Sequence, residues 1–180
     1  MSSTALTASW VARLDAVTEK VVSEFGKLSE EQLNRKPNEG TWSIAENLQH
    51  LIQVNESYYP VIEQVRSGEL KLGWMSKFGF IRNFFGKMIL GSVEPTRKRK
   101  MATFPIWQPS ASNIEEGIVA RFSAHQHHFV EFIHSCHDLL EKGQVIHSPA
   151  NDKIVYNLEQ AFEIFVTHEE RHLNQALEVA

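Results

Sequence analysis

The chain reads as an all-α protein, a four-helix bundle with a long crossover between its second and third helices. Apolar residues recur at spacings of three and four in four separate stretches, and three of these open on a helix-start signal. No stretch alternates apolar and polar residues as a half-buried strand does. At 180 residues and 42% hydrophobic content, with no Gly/Ser-rich linker, residues 1–180 are expected to form one domain.

The first helix follows from Leu6, Trp10, Leu14, Val17, Val21 and Phe25, a single apolar stripe that Gly26 ends. Ser29 to Gln32 is a short capping box before Pro37, where a helix must stop. In Ser43-Ile44-Ala45-Glu46 the Ser43 hydroxyl can accept from the Glu46 amide while the Glu46 carboxylate reaches back. A second long helix starts there and runs through Leu48, Leu51, Ile52, Asn55 and Tyr58 toward Gly68, with a kink or pause at Pro60.

Residues 68–109 hold several glycines and prolines, the aromatics Phe78, Phe80, Phe84 and Phe85, and the basic run Arg97 to Lys100. A crossover containing one short helix is expected, with Trp74, Phe78, Phe84 and Phe85 open to roles as lid, substrate wall, dimer contact or core filling. Ser112 to Glu115 repeats the capping-box pattern and opens a third helix through Ile118, Phe122, Phe129, Phe132 and Leu139, ending near Gly143. After a loop with Pro149, Asn157 to Gln160 starts a fourth helix, one side of which carries Leu158, Ala161, Phe162, Phe165, His168 and His172.

Composition excludes several functions. A net charge of -4 and no regular aromatic interleaving in Arg97 to Lys100 argue against a nucleic-acid binder, and the same overall charge argues against a membrane partner. The lone Cys136 forbids an intrachain disulfide or a thiolate metal cage and reads as a small buried residue. Met1-Ser2-Ser3-Thr4 lacks the order of a signal peptide, and Phe78 to Gly91 is too short and too charged to span a bilayer, so a cytoplasmic location is expected.

His168 and His172 lie four apart, which on a helix points both imidazoles the same way, as two ligands of one metal ion require. Both continue the apolar stripe of Ala161 and Phe165, where an unpaired imidazole carries a desolvation cost that a metal would offset. The competing reading is a pair of core histidines bonded to carboxylate or backbone. His168-Glu169-Glu170-Arg171-His172 matches the H-E-x-x-H pattern of zinc proteases, but Leu173 to Ala180 offers only Asn174, Gln175 and Glu178 as polar candidates for a third ligand. Glu169 is a candidate catalytic residue touching a metal-bound water. Otherwise Glu169, Glu170 and Arg171 form a solvated face with local ion pairs.

His50 falls off the stripe of Ile44, Leu48, Leu51 and Asn55, and by periodicity alone it is a rim residue. The third helix carries His125, His127, His128, His134 and His137, read as a solvent-facing stripe because Phe122, Phe129, Phe132 and Leu139 define the buried side.

Leu28-Ser29-Glu30-Glu31-Gln32-Leu33, then Pro37 and Gly40-Thr41-Trp42-Ser43-Ile44-Ala45-Glu46-Asn47-Leu48-Gln49-His50-Leu51, resembles the N-terminal signature of the DinB-like superfamily. His168-Glu169-Glu170-Arg171-His172-Leu173-Asn174-Gln175 is similar to its second signature, and Lys98 to Pro109 to the connection before its third helix. The resemblance implies an up-down-down-up four-helix bundle, often a homodimer. It also implies a divalent metal held by one histidine of the second helix and two of the fourth, here His50, His168 and His172.

Three imidazoles leave coordination open on zinc or nickel, so an exchangeable ligand can enter. Water there reaches a pKa of about 7 and supports hydrolysis, whereas a low-molecular-weight thiol cosubstrate becomes a thiolate aimed at an electrophile. The resemblance implies chemistry within the range for which family members are described, as metal-dependent hydrolases or as transferases and isomerases that use low-molecular-weight thiols. Thiol transfer to a small-molecule substrate is favoured, since no second residue stands out as a general base. The alternative class is a non-catalytic, stress-associated metal-binding scaffold that acts as a dimer.

Overall fold

The computed structural model describes residues 2–96, 103–109, 114 and 116–180. Helix α1 (Ser3–Phe25) starts where the Ser2 side chain accepts from the Ala5 amide, and it buries Trp10, Leu14, Val17, Val21 and Phe25 as its stripe predicts. A short α2 (Glu30–Asn34) closes the capping box of Ser29 and Gln32. The second predicted helix is two, α3 (Ile44–Glu56) and α4 (Tyr59–Ser67), broken at Ser57 and Tyr58. Pro60 sits in the first turn of α4, where its missing N–H is harmless and its ring excludes a continuous helix.

The crossover differs from expectation. It contains α5 (Gly79–Val93), four turns long, flanked by 3-10 turns at Trp74–Lys77 and Pro105–Trp107. Phe85 and Ile89 of α5 pack against the core, and the buried Gly86 admits the Gln160 side chain, whose amide would lie 2.5 Å from a β-carbon there.

The third helix begins at Ile118, behind Gly117 in the left-handed region at φ 77°. Ser112, Asn113 and Glu115 of the expected capping box lie outside the described residues. Ile114 is held out of any helix because its amide donates to Asn34 Oδ1 and its carbonyl accepts from Asn34 Nδ2. Helix α6 (Ile118–Ser135) breaks at Cys136 before a short α7 (His137–Glu141). An antiparallel hairpin follows, β1 (Val145–Ser148) and β2 (Asn151–Asn157), pairing Ile146 with Tyr156. The chain is therefore mostly rather than wholly helical. Helix α8 (Leu158–Leu177) opens at the start signal read at Asn157 to Gln160, where the Asn157 amide donates to Gln160 Oε1 at 3.1 Å.

The four long helices form a bundle in which α1 and α3 each pack against both α6 and α8. Its interior divides into two apolar clusters, one around Trp10, Phe129, Phe162 and Phe165, the other around Val21, Leu48, Phe122 and Leu173. On α6 the buried His125 and Gln126 fall between the two, and on α8 the run from Thr167 to His172 does the same. A polar layer thus crosses the middle of the bundle. Among the described residues no helix is long and apolar enough to cross a membrane.

The start of α3 anchors that layer. Ser43 and Glu46 are buried and close a reciprocal cap, with Ser43 Oγ accepting from the Glu46 amide at 3.1 Å and Glu46 Oε2 accepting from the Ser43 amide at 2.8 Å. Replacing Ser43 with Ala leaves a buried N–H unpaired and should lower the urea unfolding free energy of the metal-free protein by about 1–2 kcal/mol. An unchanged unfolding midpoint would show that the cap does not stabilise this end of the bundle.

Candidate metal centre

From its buried cap, α3 presents Asn47 and, one turn on, His50. Asn47 Nδ2 donates to the Ser43 carbonyl at 2.9 Å, which turns Asn47 Oδ1 toward His172 Nδ1 at 2.7 Å. An amide oxygen only accepts, so His172 carries its proton on Nδ1 and presents a bare Nε2. His50 is fixed in the same way by another group, the Trp107 carbonyl, 2.6 Å from its Nδ1. Its Nε2 then faces His168 Nε2 at 3.3 Å.

Trp42 packs over the rings of His50 and His172, with centroids 4.8 and 5.7 Å away. His50 and His172 are buried and His168 is half-buried, and the donor nitrogens of the three lie within 4.8 Å of one another. Imidazole nitrogens at 2.0–2.1 Å from a tetrahedral ion are about 3.3 Å apart, the separation found between His50 and His168.

Burial pushes the His50 pKa down to about 4, against the hydrogen bond that its Nδ1 donates to the Trp107 carbonyl. It drives His168 and His172 well below the usual histidine range, with the other rings and Arg171 adding to the effect. All three imidazoles are neutral at pH 7, the form that binds metal. They open onto a cavity of about 1280 Å³ walled by Trp42, Met88, Ile89, Phe104, Trp107 and Phe165, with Arg171 on its polar side.

The position of His50 corrects its rim reading. It is 2% exposed because the 3-10 turn at Pro105–Trp107 covers that side of α3, a contact between residues 57 apart in the chain. The solvated face read for the next residues is corrected as well. Glu170 binds Arg13 on α1 at 2.7 and 2.8 Å, alongside Glu163 at 2.7 Å, and the Arg171 guanidinium is buried and donates to the Glu94 carbonyl at 2.8 Å.

Glu169 is fully buried, and its carboxylate turns toward α3 and α6 rather than into the cavity. It accepts from Asn55 Nδ2 at 2.8 Å and from Gln126 Nε2 at 2.9 and 3.0 Å. Burial raises its pKa to about 7, partly opposed by these two amides. His125 joins the same cluster, correcting its solvent-facing assignment. Its Nε2 lies 3.3 Å from Asn55 Nδ2, its Nδ1 lies 3.7 Å from Glu56, and its ring stacks on Phe129. The signal was present in the sequence, since His125 stands three residues after Phe122 and four before Phe129. His127, His128 and His134 are exposed as expected, and Cys136 is buried with its thiol pKa raised by desolvation.

The molecule is thus a helical bundle in which two facing helices converge three neutral imidazoles on one point at the floor of a cavity. A family model of the DinB superfamily matches residues 13–176, and the chain belongs to that superfamily. Among solved structures it is similar to YfiT from Bacillus subtilis, described as a probable metal-dependent hydrolase with an unusual four-helix bundle topology. The two superpose with a TM-score of 0.58 over 96% of this chain and 85% of the other, at 16% identity, a likeness of fold. No curated protein matches the chain.

The buried cluster gives opposing pH slopes. Burial lowers the His125 pKa to about 4, with His128 adding to the effect, so between pH 6.5 and 4 the unfolded chain binds the extra proton and stability falls with acidification. The raised Glu169 pKa acts oppositely, removing stability as pH climbs from 4.5 through 7. On going from pH 7 to 4.5, His125→Gln should lose about 2 kcal/mol less unfolding free energy than the wild type. Equal losses in urea titrations at both pH values would contradict this origin.

Proposed function

We propose that this DinB-superfamily protein is a metal-dependent enzyme. In this reading His50, His168 and His172 hold one zinc or nickel ion and a small thiol is transferred to an electrophilic small molecule. The observation that carries the reading is the pair of hydrogen bonds from His50 Nδ1 and His172 Nδ1, which leave both Nε2 atoms without a proton and directed, with His168 Nε2, toward one point. A divalent ion there acts as a Lewis acid that favours the thiolate form of a bound thiol.

The chain's own groups do the rest. Asn47 and the Trp107 carbonyl hold the Nδ1 protons in place and so fix the orientation of the rings. The Arg171 charge, which acts on both His168 and His172, favours an anionic nucleophile. Trp42, Trp107 and Phe165 give the cavity apolar walls beside the histidines, which lowers the local polarity there. Glu46 lines the cavity but is locked by the Ser43 amide and Lys36, and Glu169 is bound in the other cluster. Among the described residues the other carboxylate lining the cavity is the exposed Glu178 at the end of α8, six residues beyond His172, and this favours a reaction whose nucleophile is activated by coordination. Hydrolysis is the second reading, favoured by the description of YfiT. The up-down-down-up path, the homodimer and a cytoplasmic location belong to the same proposal.

His168→Ala should reduce bound metal from one ion per chain to none while far-ultraviolet circular dichroism stays unchanged. Asn47→Ala, which frees the His172 ring, should weaken metal affinity about 10- to 100-fold in competition with a chromophoric chelator. Full metal content in His168→Ala would remove the ligand assignment. Metal-loaded wild type should accelerate conjugation of a generic electrophile with cellular thiols, assayed beside ester and amide substrates. Rates indifferent to metal throughout would favour the non-catalytic scaffold.

A further inference from the structure

Net charge conceals a local asymmetry. Residues 70–93 contain Lys71, Lys77, Arg82 and Lys87 and none of the chain's 22 Asp and Glu residues, although the protein as a whole is acidic. The three lysines are exposed, while Arg82 is half-buried and donates to the Ser76 carbonyl.

The same segment displays Trp74, Phe78, Phe80, Phe84 and Met88 at exposures from 43% to 73%. These are five of the eight exposed large apolar side chains among the described residues, and Phe104 and Ile106 nearby are two more. Phe80, Phe84 and Met88 lie four apart and form one line along α5, while Trp74, Phe78 and Phe80 touch in sequence with ring centroids 5.8 and 5.9 Å apart. The opposite side of α5 is committed to the core through Phe85, Gly86 and Ile89. The outward aromatics are therefore not needed to hold the helix in place.

Aromatics in a line, flanked by lysines whose stems can lie along an apolar surface, are the pattern of a helix seated in a lipid headgroup region. Two-fold pairing of this face with a second copy would bring the same lysines together, so an anionic surface is the better complement. Met88 and Phe104 also line the histidine cavity, so the patch reaches the cavity mouth.

We propose that the exposed face of residues 74–88 is a peripheral docking surface for bilayers bearing anionic headgroups, and that docking sets the mouth of the histidine cavity against the lipid. This gives an apolar or amphiphilic substrate a path from the bilayer past Met88 and Phe104. The surface stands on its own residues and does not depend on the metal or the reaction. It also revises the exclusion of membranes drawn from net charge, because a local field and not the total governs adsorption within a Debye length.

The test is sedimentation of the full chain with vesicles of phosphatidylcholine alone or with about 30% phosphatidylserine added, a composition that supplies the anionic field. Wild type should pellet with the anionic vesicles, weakly with the neutral ones, and progressively less as salt is raised. Replacing Lys71, Lys77 and Lys87 together with Gln should weaken binding by about two orders of magnitude. Phe80→Ser with Phe84→Ser should abolish it, and metal content and circular dichroism should not change in either variant. The emission of tryptophan should shift to the blue on binding, and Trp74→Phe should remove most of the shift.

No pelleting with either vesicle, or pelleting that ignores both sets of substitutions, would overturn the proposal. A wild-type dimer in light scattering that becomes monomeric in the double serine variant, without vesicle binding, would assign the face to a second copy instead.

Discussion

Three imidazole nitrogens directed at one point inside a protein form an arrangement that needs a cation or a shared proton to be stable, and the architecture around them is built to hold it. His50 and His172 each give their Nδ1 proton to an oxygen that can only accept, the Trp107 carbonyl and Asn47 Oδ1. The Asn47 amide is itself fixed by the Ser43 carbonyl, and Ser43 by its reciprocal cap with Glu46. The helix start of α3 and the orientation of a ring on α8 are thus links of one chain of hydrogen bonds. Desolvation supplies the remaining condition by keeping the rings neutral.

Helix α8 carries polar chemistry on more than one side. His168 and His172 face the cavity, Glu169 enters the cluster of Asn55, Gln126 and His125, and Glu170 reaches Arg13 on α1. Together these groups tie α8 to α3, α6 and α1, so the register of α8 is set by directional bonds as well as by apolar packing. That suits a site whose donors must keep their separation, because a shift of one residue would exchange buried polar partners for apolar ones. The two apolar clusters on either side supply bulk stability without needing to specify that register.

Local signals in the sequence carried much of this. The stripe from Trp10 to Phe25, the start signals at Ser43 and Asn157 and the spacing of His168 and His172 are properties of single helices, and they were legible without tertiary contacts. The burial of His50 was not, because it is made by a turn 57 residues away, and only the family resemblance pointed to it. Helix α5 was hidden by its glycines and by the lack of a side-chain cap, and its aromatics occupy both the packed and the open side. The hairpin was hidden by its four-residue first strand and a register shift at Ser148, too little for alternation to show. Glu169 looked solvated because its partners, Asn55 and Gln126, come from two other helices.

The proposed metal centre requires these three rings to share one ion and to leave part of its coordination free. X-ray absorption at the zinc edge of the stoichiometrically loaded protein tests it most directly. The expected first shell contains three imidazole nitrogens at about 2.0–2.1 Å, completed by exchangeable oxygen ligands. A shell with fewer than three imidazoles, or with sulfur when no thiol has been added, would overturn the assignment.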